Sequence, residues 1–238
     1  MRNHVGIAGL GIYIPDRVMT AKEISEATNG VWAEEAVREK LGINKKYLPG
    51  PGDGTQEMGY KAAKNLIDEY GIDPLSIDMI ISIGEEWKEY PLTTTAIYIQ
   101  EKIGAYNAFA FDLQQRCCTN ITAMKVAKDM MMANDDINTV LICGGYRNGD
   151  FIDYTNSRVS FMFNLSAGGG AILLKKNYGR NELLETSIIT DGSFARDVGV
   201  RYGGTEEPIN LENIDKAYKS LDVFDVEGMK ARLNEKST

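Results

Sequence analysis

The sequence predicts an α/β fold, and three observations predict it. Short apolar runs alternate along the chain with segments of helical periodicity. Glycines stand where several of those helical segments should stop. The spacing of runs and segments is that of βαβ units, which build a mostly parallel sheet.

Taken in order, Val5 to Ile14 mixes Gly with Val, Ile, Leu and Tyr, stops at Pro15, and is expected to be a buried strand. Residues 21–41 carry a helical pattern, broken at Asn29-Gly30 and ended by Gly42. Leu48 to Gly54 is a loop by its turn chemistry. Thr55 to Tyr70 has apolar residues at helical spacing, with Gly71 as its stop. Asp78 to Gly84 is a short apolar strand, Thr94 to Ile103 a helix closed by Gly104, and Ala108 to Leu113 the next strand. A helix is expected from Cys117 to Met132, a strand from Thr139 to Gly144, and two more at Gly168–Leu174 and Leu183–Thr190. Beyond Gly203 the chain turns polar, and Val226 to Leu233 begins a final helix.

Composition narrows the class. The 238 residues carry a net charge of −8 with acids and bases interspersed, so there is no basic stripe for nucleic acid. Three cysteines, two of them adjacent, do not form a disulfide framework, and free thiols point to a reducing compartment. The N-terminus lacks the organisation of a signal peptide, and no apolar run approaches a membrane span. A cytoplasmic protein with no nucleic-acid or membrane partner is expected. Gly9-Leu-Gly11 follows a strand, but no third glycine comes after it and Pro15 replaces the helix start, so it is no dinucleotide fingerprint. One histidine and scattered cysteines give no metal-ligand spacing.

The chemistry concentrates at Phe111-Asp-Leu-Gln-Gln-Arg-Cys-Cys-Thr-Asn120, where a strand ends and a long helix is expected to open. Unpaired N–H groups and the helix dipole favour negative charge there, which suits a nucleophilic thiolate at Cys117, with Arg116 alongside. Position alone leaves the alternative open that both cysteines are small buried hydrophobes. Met130-Met-Met132 reads as packing at a helix end.

The pattern Phe-Asp, four residues, then Cys at a helix start resembles the nucleophile motif of the 3-oxoacyl-acyl-carrier-protein synthase III (ketoacyl synthase III) family, and equally that of the hydroxymethylglutaryl-CoA synthases. Gly9-Leu-Gly-Ile-Tyr-Ile-Pro15, Trp32 followed by Lys-Leu-Gly-Ile, and Leu184 to Phe194 with its Asp-Gly-Ser turn resemble further family segments, in order and at suitable spacing. The resemblance implies the layered αβαβα thiolase-like fold. Residues 1–175 would supply its N-terminal, nucleophile-bearing half, and residues 176–238 a connecting segment and the start of a truncated C-terminal half, the second half being largely absent.

It also implies roles. Cys117 would accept an acyl group from coenzyme A and be extended by a malonyl thioester on acyl carrier protein in a decarboxylative Claisen condensation, initiating fatty acid or related ketide synthesis. Coenzyme A is then a substrate, and no cofactor is needed. Trp32 and Arg158 match residues flanking the coenzyme A adenine, and Lys40 a residue receiving its phosphates, although inserted residues before Gly42 weaken that match. Cys118 replaces a small residue and is expected to pack. Glu86 lies where the hydroxymethylglutaryl-CoA synthases carry an acid/base glutamate; otherwise it is a solvent-exposed loop acid like Glu85 and Glu89.

Departures are specific. Gln114-Gln-Arg116 replaces small apolar residues, and Asn164 to Gly170 replaces a glycine-rich family loop, which puts the acyl pocket and the choice of primer in doubt. The family's histidine and asparagine come from its second half, and the one histidine present is His4. A fragment, or a chain completed by a partner supplying the other half, is therefore expected, with family-like homodimerisation through Ala108–Leu113. The alternatives to ketoacyl synthase III chemistry are a hydroxymethylglutaryl-CoA synthase-like enzyme using Glu86 and a non-catalytic thiolase-fold partner subunit.

Overall fold

A computed structural model of the chain describes residues 4–84 and 87–236. The elements in chain order begin with β1 (Val5–Tyr13), β2 (Arg17–Thr20), α1 (Ala21–Ala27), α2 (Glu34–Glu39) and β3 (Lys45–Leu48). Then come α3 (Thr55–Tyr70), β4 (Met79–Ile83), α4 (Thr95–Ile103), β5 (Phe109–Leu113), α5 (Thr119–Ala133), β6 (Thr139–Tyr146) and β7 (Gly168–Lys176). The last four are β8 (Val198–Val200), α6 (Ile214–Ala217), β9 (Leu221–Val223) and α7 (Val226–Lys236). They form two compact units. The first holds the chain up to Arg17, Tyr47–Arg147 and Ala167–Ile188; the second holds Val18–Lys46, Asn148–Ser166 and the chain from Ile189.

The first unit is a five-stranded sheet in the order β1-β7-β6-β4-β5. β6, β4 and β5 run parallel, while β7 is antiparallel to both β6 and β1. Period-two alternation sends Ile80, Leu141 and Cys143 to one face, against Ala62, Leu66 and Ile99 of α3 and α4. Met79, Ile81, Val140 and Ile142 go to the other face, against Ala123, Ala127 and Met131 of α5. Both faces being covered explains why the β4 run is apolar throughout. The α/β/α layering is that of the expected fold class.

At Gly169, helix α3 lies so close to the sheet that no side chain fits between them. A Cβ on Gly169 would strike the Met58 carbonyl and lie 3.3 Å from the Ala62 methyl. Gly71 and Gly104 end α3 and α4 at φ 60° and 76°, left-handed values that favour glycine.

Three expectations are corrected. β1 is an edge strand buried on one face only: Gly9 and Gly11 meet α3, while Leu10 and Ile12 on the other face are exposed. Residues 184–190 form no strand: Glu182 makes one bridge to Gly6 and the Leu183 N–H donates to the Val5 carbonyl at 2.8 Å. The chain then leaves the sheet edge, with Leu184 72% and Ile189 93% exposed. Finally, the helix expected from Cys117 begins at Thr119, after a 3₁₀ turn over Arg116–Cys118.

The second unit packs α1, α2 and α7 with the β8–β9 pair, while β2 and β3 pair with each other. Its core gathers Ile24, Val37, Ile152, Phe163, Leu221 and Val223 from segments far apart in sequence. A Thr20–Glu23 capping box starts α1.

Candidate active site

The strand order reverses at β4: β5 lies on one side and β6, reached by α5, on the other. In open α/β sheets the crevice outside the carboxyl ends of the strands at such a switch point is the usual place for a ligand. A small crevice is present there, lined by Ser82, Gly84, Lys88, Asp112, Gln114 and Gly145 among others.

Cys117 lies on the turn leaving β5, three residues beyond Gln114. The turn is strained at Arg116, φ 51°, and is held by one buried hydroxyl. Thr119 Oγ1 accepts from the Gln115 N–H at 2.7 Å and donates to the Arg116 carbonyl at 2.6 Å. The Cys118 N–H donates to the Gln115 carbonyl at 3.2 Å, and the Gln115 side chain accepts from Thr122. With the turn fixed from beneath, Cys117 and Cys118 are both exposed. Cys118 therefore does not pack in the core. It is the N-cap residue of α5, makes no side-chain capping bond, and leaves the first-turn N–H groups of α5 beside the cysteines. Cys143, on β6, is the buried thiol, and burial pushes it up to about 12.

Around the crevice, charged side chains fasten loop to helix. Lys88 Nζ lies 2.6 Å from Asp112 Oδ2 and donates to the Thr93 carbonyl at 2.8 Å. The Asp112 carboxylate also accepts the first N–H groups of α4, from Thr95 at 3.0 Å and Ala96 at 2.8 Å. Glu89 does the same for α3, accepting from the Gln56 N–H at 2.9 Å and the Glu57 N–H at 3.2 Å. Glu89 is thus a helix-capping carboxylate rather than an idle loop acid. Glu86 lies outside the described residues; its described neighbours Gly84 and Lys88 line the crevice.

Trp32, Lys40 and Arg158 all belong to the second unit. Trp32 packs half-buried against that unit's core. Lys40 is the exposed C-cap of α2. Arg158 pairs with Asp222 at 2.5 Å, and Asn156 Nδ2 donates to the same carboxylate at 2.9 Å. His4 precedes β1, at the amino ends of the parallel strands, whereas Cys117 follows the carboxyl end of β5. The two strands are opposite edges of the sheet, four strand spacings or about 19 Å apart, so this histidine does not serve Cys117.

Sequence reasoning missed Lys88, Glu89 and Asp112. Asp112 had a signal, standing in the Phe-Asp pair before Cys117, but its capping role depends on α4 folding back to it. Among the described residues no cluster of three or more His, Cys, Asp and Glu could hold a metal ion, and no helix is long and apolar enough to cross a membrane.

A mixed sheet covered by helices on both faces, with an exposed cysteine on the turn from its edge strand into a helix, is the arrangement of the thiolase-fold condensing enzymes. The chain is similar in sequence to the 3-oxoacyl-acyl-carrier-protein synthase III family, whose model matches residues 111–192. Beta-ketoacyl-acyl-carrier-protein synthase III of Azobacteroides pseudotrichonymphae is 28% identical over 214 residues, covering 89% of this chain and 62% of that protein. A crystal structure of a 3-oxoacyl-acyl-carrier-protein synthase III shares the fold at a TM-score of 0.81 and 20% identity, covering 98% of this chain and 71% of that one. The corresponding synthase from Thermus thermophilus has a TM-score of 0.72 at 25% identity, over 82% of this chain and 58% of that one. The chain spans about six-tenths of the length of the curated relatives it matches.

Proposed function

We propose that the chain carries the nucleophile half of a ketoacyl synthase III-like acyltransferase, with Cys117 as the acyl acceptor. The observation that carries this reading is an exposed cysteine on the turn between β5 and α5, beside the sheet's switch point. There the Sγ thiolate attacks the carbonyl of an acyl-CoA, and coenzyme A leaves as its thiol. The backbone N–H of Cys117 itself is proposed to help stabilise the oxyanion that forms. A malonyl thioester on acyl carrier protein then loses carbon dioxide, and its carbanion attacks the acyl-enzyme, releasing a 3-oxoacyl product.

Trp32, Lys40 and Arg158 are proposed to hold the coenzyme A adenine and phosphates; for Arg158 this requires an exchange of its Asp222 partner. Coenzyme A is a substrate here, with no resident cofactor. His4 being remote, the proton-handling His and Asn would come from a segment or partner chain beyond these residues. Exposed Leu10 and Ile12 on β1 and Phe109 on β5 support association through the sheet's edges, as in a homodimer. A cytoplasmic location fits the free thiols.

Incubation with acetyl-CoA and longer acyl-CoAs, followed by intact-mass analysis, tests the acyl acceptor. With the half that supplies His and Asn restored, one acyl group per chain is expected, lost in Cys117→Ala; no adduct there, or an adduct surviving that substitution, refutes it. A non-catalytic partner subunit would give no adduct at all. Malonyl thioester against acetoacetyl-CoA then separates the proposed extender from hydroxymethylglutaryl-CoA synthase-like chemistry through Glu86.

A further inference from the structure

Cys117 and Cys118 are adjacent, free and exposed, on a turn anchored from below by Thr119. Consecutive Cα atoms are about 3.8 Å apart, short of the roughly 4.4 Å that a relaxed disulfide needs. A direct bond between the two sulfurs is therefore strained. One larger atom inserted between them lengthens the span and relieves that strain. A structural zinc site would need four ligands, and among the described residues no third His, Cys, Asp or Glu gathers to help. What the pair fits is a thiophile that asks for two sulfurs and nothing more.

We propose that Cys117 and Cys118 form a vicinal dithiol site for trivalent arsenicals. With phenylarsine oxide, two S–As bonds form and the arsenic–oxygen bonds break. The oxygen leaves as water carrying both thiol protons, and arsenic stays trivalent, so no oxidant is consumed. The second S–As bond closes intramolecularly after the first, at the high effective concentration of a neighbouring residue. Retention is then on the order of 10²-fold better than for either thiol alone. Cys143 is an internal control, because it is buried on β6 and has no neighbouring thiol. The site rests on exposure and adjacency, not on the acyl-acceptor reading. Its consequence for that reading is competition for Cys117 Sγ.

The test uses the intact chain and phenylarsine oxide, an excess-monothiol wash, and intact mass, with circular dichroism confirming that each variant is folded. Wild type and Cys143→Ala should each retain one phenylarsenic group, released by a small dithiol, while Cys117→Ser and Cys118→Ser should retain none. No retained group on wild type, or undiminished retention in Cys118→Ser, overturns the proposal. Arsenical retention without acyl labelling would sink only the acyl-acceptor reading. Acyl labelling without arsenical retention would sink only this one.

Discussion

The Lys88 ammonium sits 2.6 Å from the Asp112 carboxylate, and that carboxylate also takes the first two N–H groups of α4. One acid at the end of β5 thereby ties the loop after β4 to the start of α4, five residues before Cys117. Both side chains are mostly buried, 15% and 18% exposed, so removing the acid strands a cation and uncaps a helix. Asp112→Ala should lower stability by about 2–3 kcal/mol in urea denaturation. Lys88→Met leaves the capped helix intact and should cost less. Equal losses would mean that the ion pair alone accounts for the effect.

The same logic applies at the loop before α3, with a pH signature. Asp53 accepts from Lys61 and from the Tyr13 hydroxyl, both at 2.7 Å, and from the Gly50 N–H at 2.8 Å. Burial alone would raise this carboxyl, but these donors outweigh it and hold it at about 2. A depressed carboxylate contributes stability that is complete above its unfolded value, near 4, and lost as pH falls through its folded value. Asp53→Asn should be less stable than wild type at pH 7, and the gap should close between about pH 4 and 2. A gap independent of pH in that window would contradict the assignment.

Lys46, in the second unit, is a base whose charged form the fold penalises rather than favours. It is 3% exposed, donates to the Leu165 carbonyl at 2.8 Å and lies 5.0 Å from the Tyr154 ring centre. Burial lowers it to about 8, against the pull of Asp150. A base depressed in the folded state makes the protein bury a charge below pH 8, and that penalty fades as pH rises toward the unfolded value near 10. Relative to Lys46→Met, wild type should gain stability between about pH 8 and 10. Parallel pH curves for the two proteins would rule this out.

The architecture of the first unit was largely legible because its signals are local. Short apolar runs marked β4, β5 and β6, and Gly71 and Gly104 marked helix ends on backbone grounds alone. What was not legible depends on partners distant in sequence. The Leu183–Thr190 run has the apolar content of a strand, but the sheet edge accepts only its first residues. The core of the second unit joins Ile24, Phe163 and Val223, and no window of sequence contains all three. Around the candidate site, the placement of Cys117 just after a strand was legible, while the anchoring work of Thr119, Asp112 and Glu89 was not. Their hydrogen bonds go to backbone groups that only the folded turn presents.

Close packing of α3 on the sheet predicts opposite outcomes at neighbouring glycines of β7. A methyl group on Gly169 meets the Met58 carbonyl, a backbone atom in a helix that cannot shift alone, whereas one on Gly170 meets nothing within 4 Å. Gly169→Ala should cost on the order of 3 kcal/mol or prevent folding. Gly170→Ala should stay within about 0.5 kcal/mol of wild type. Similar thermal midpoints for both variants would show that α3 can move off the sheet.

Thiol accessibility gives the most direct check on the candidate site. Cys117 and Cys118 are exposed on their turn, while Cys143 is buried under α3 and α4 with its thiol pushed up to about 12 by burial. A disulfide reagent reacts with the thiolate, so reactivity follows exposure and ionisation together. The native protein should therefore titrate two thiols quickly and the third only on unfolding. Cys143→Ala should leave the fast count unchanged, and Cys118→Ser should reduce it by one. Only one fast thiol in the native protein would mean that the turn buries one cysteine, and the dithiol site would fall with it. Three fast thiols would mean instead that the sheet opens at β6 on the timescale of labelling, because nothing else exposes Cys143.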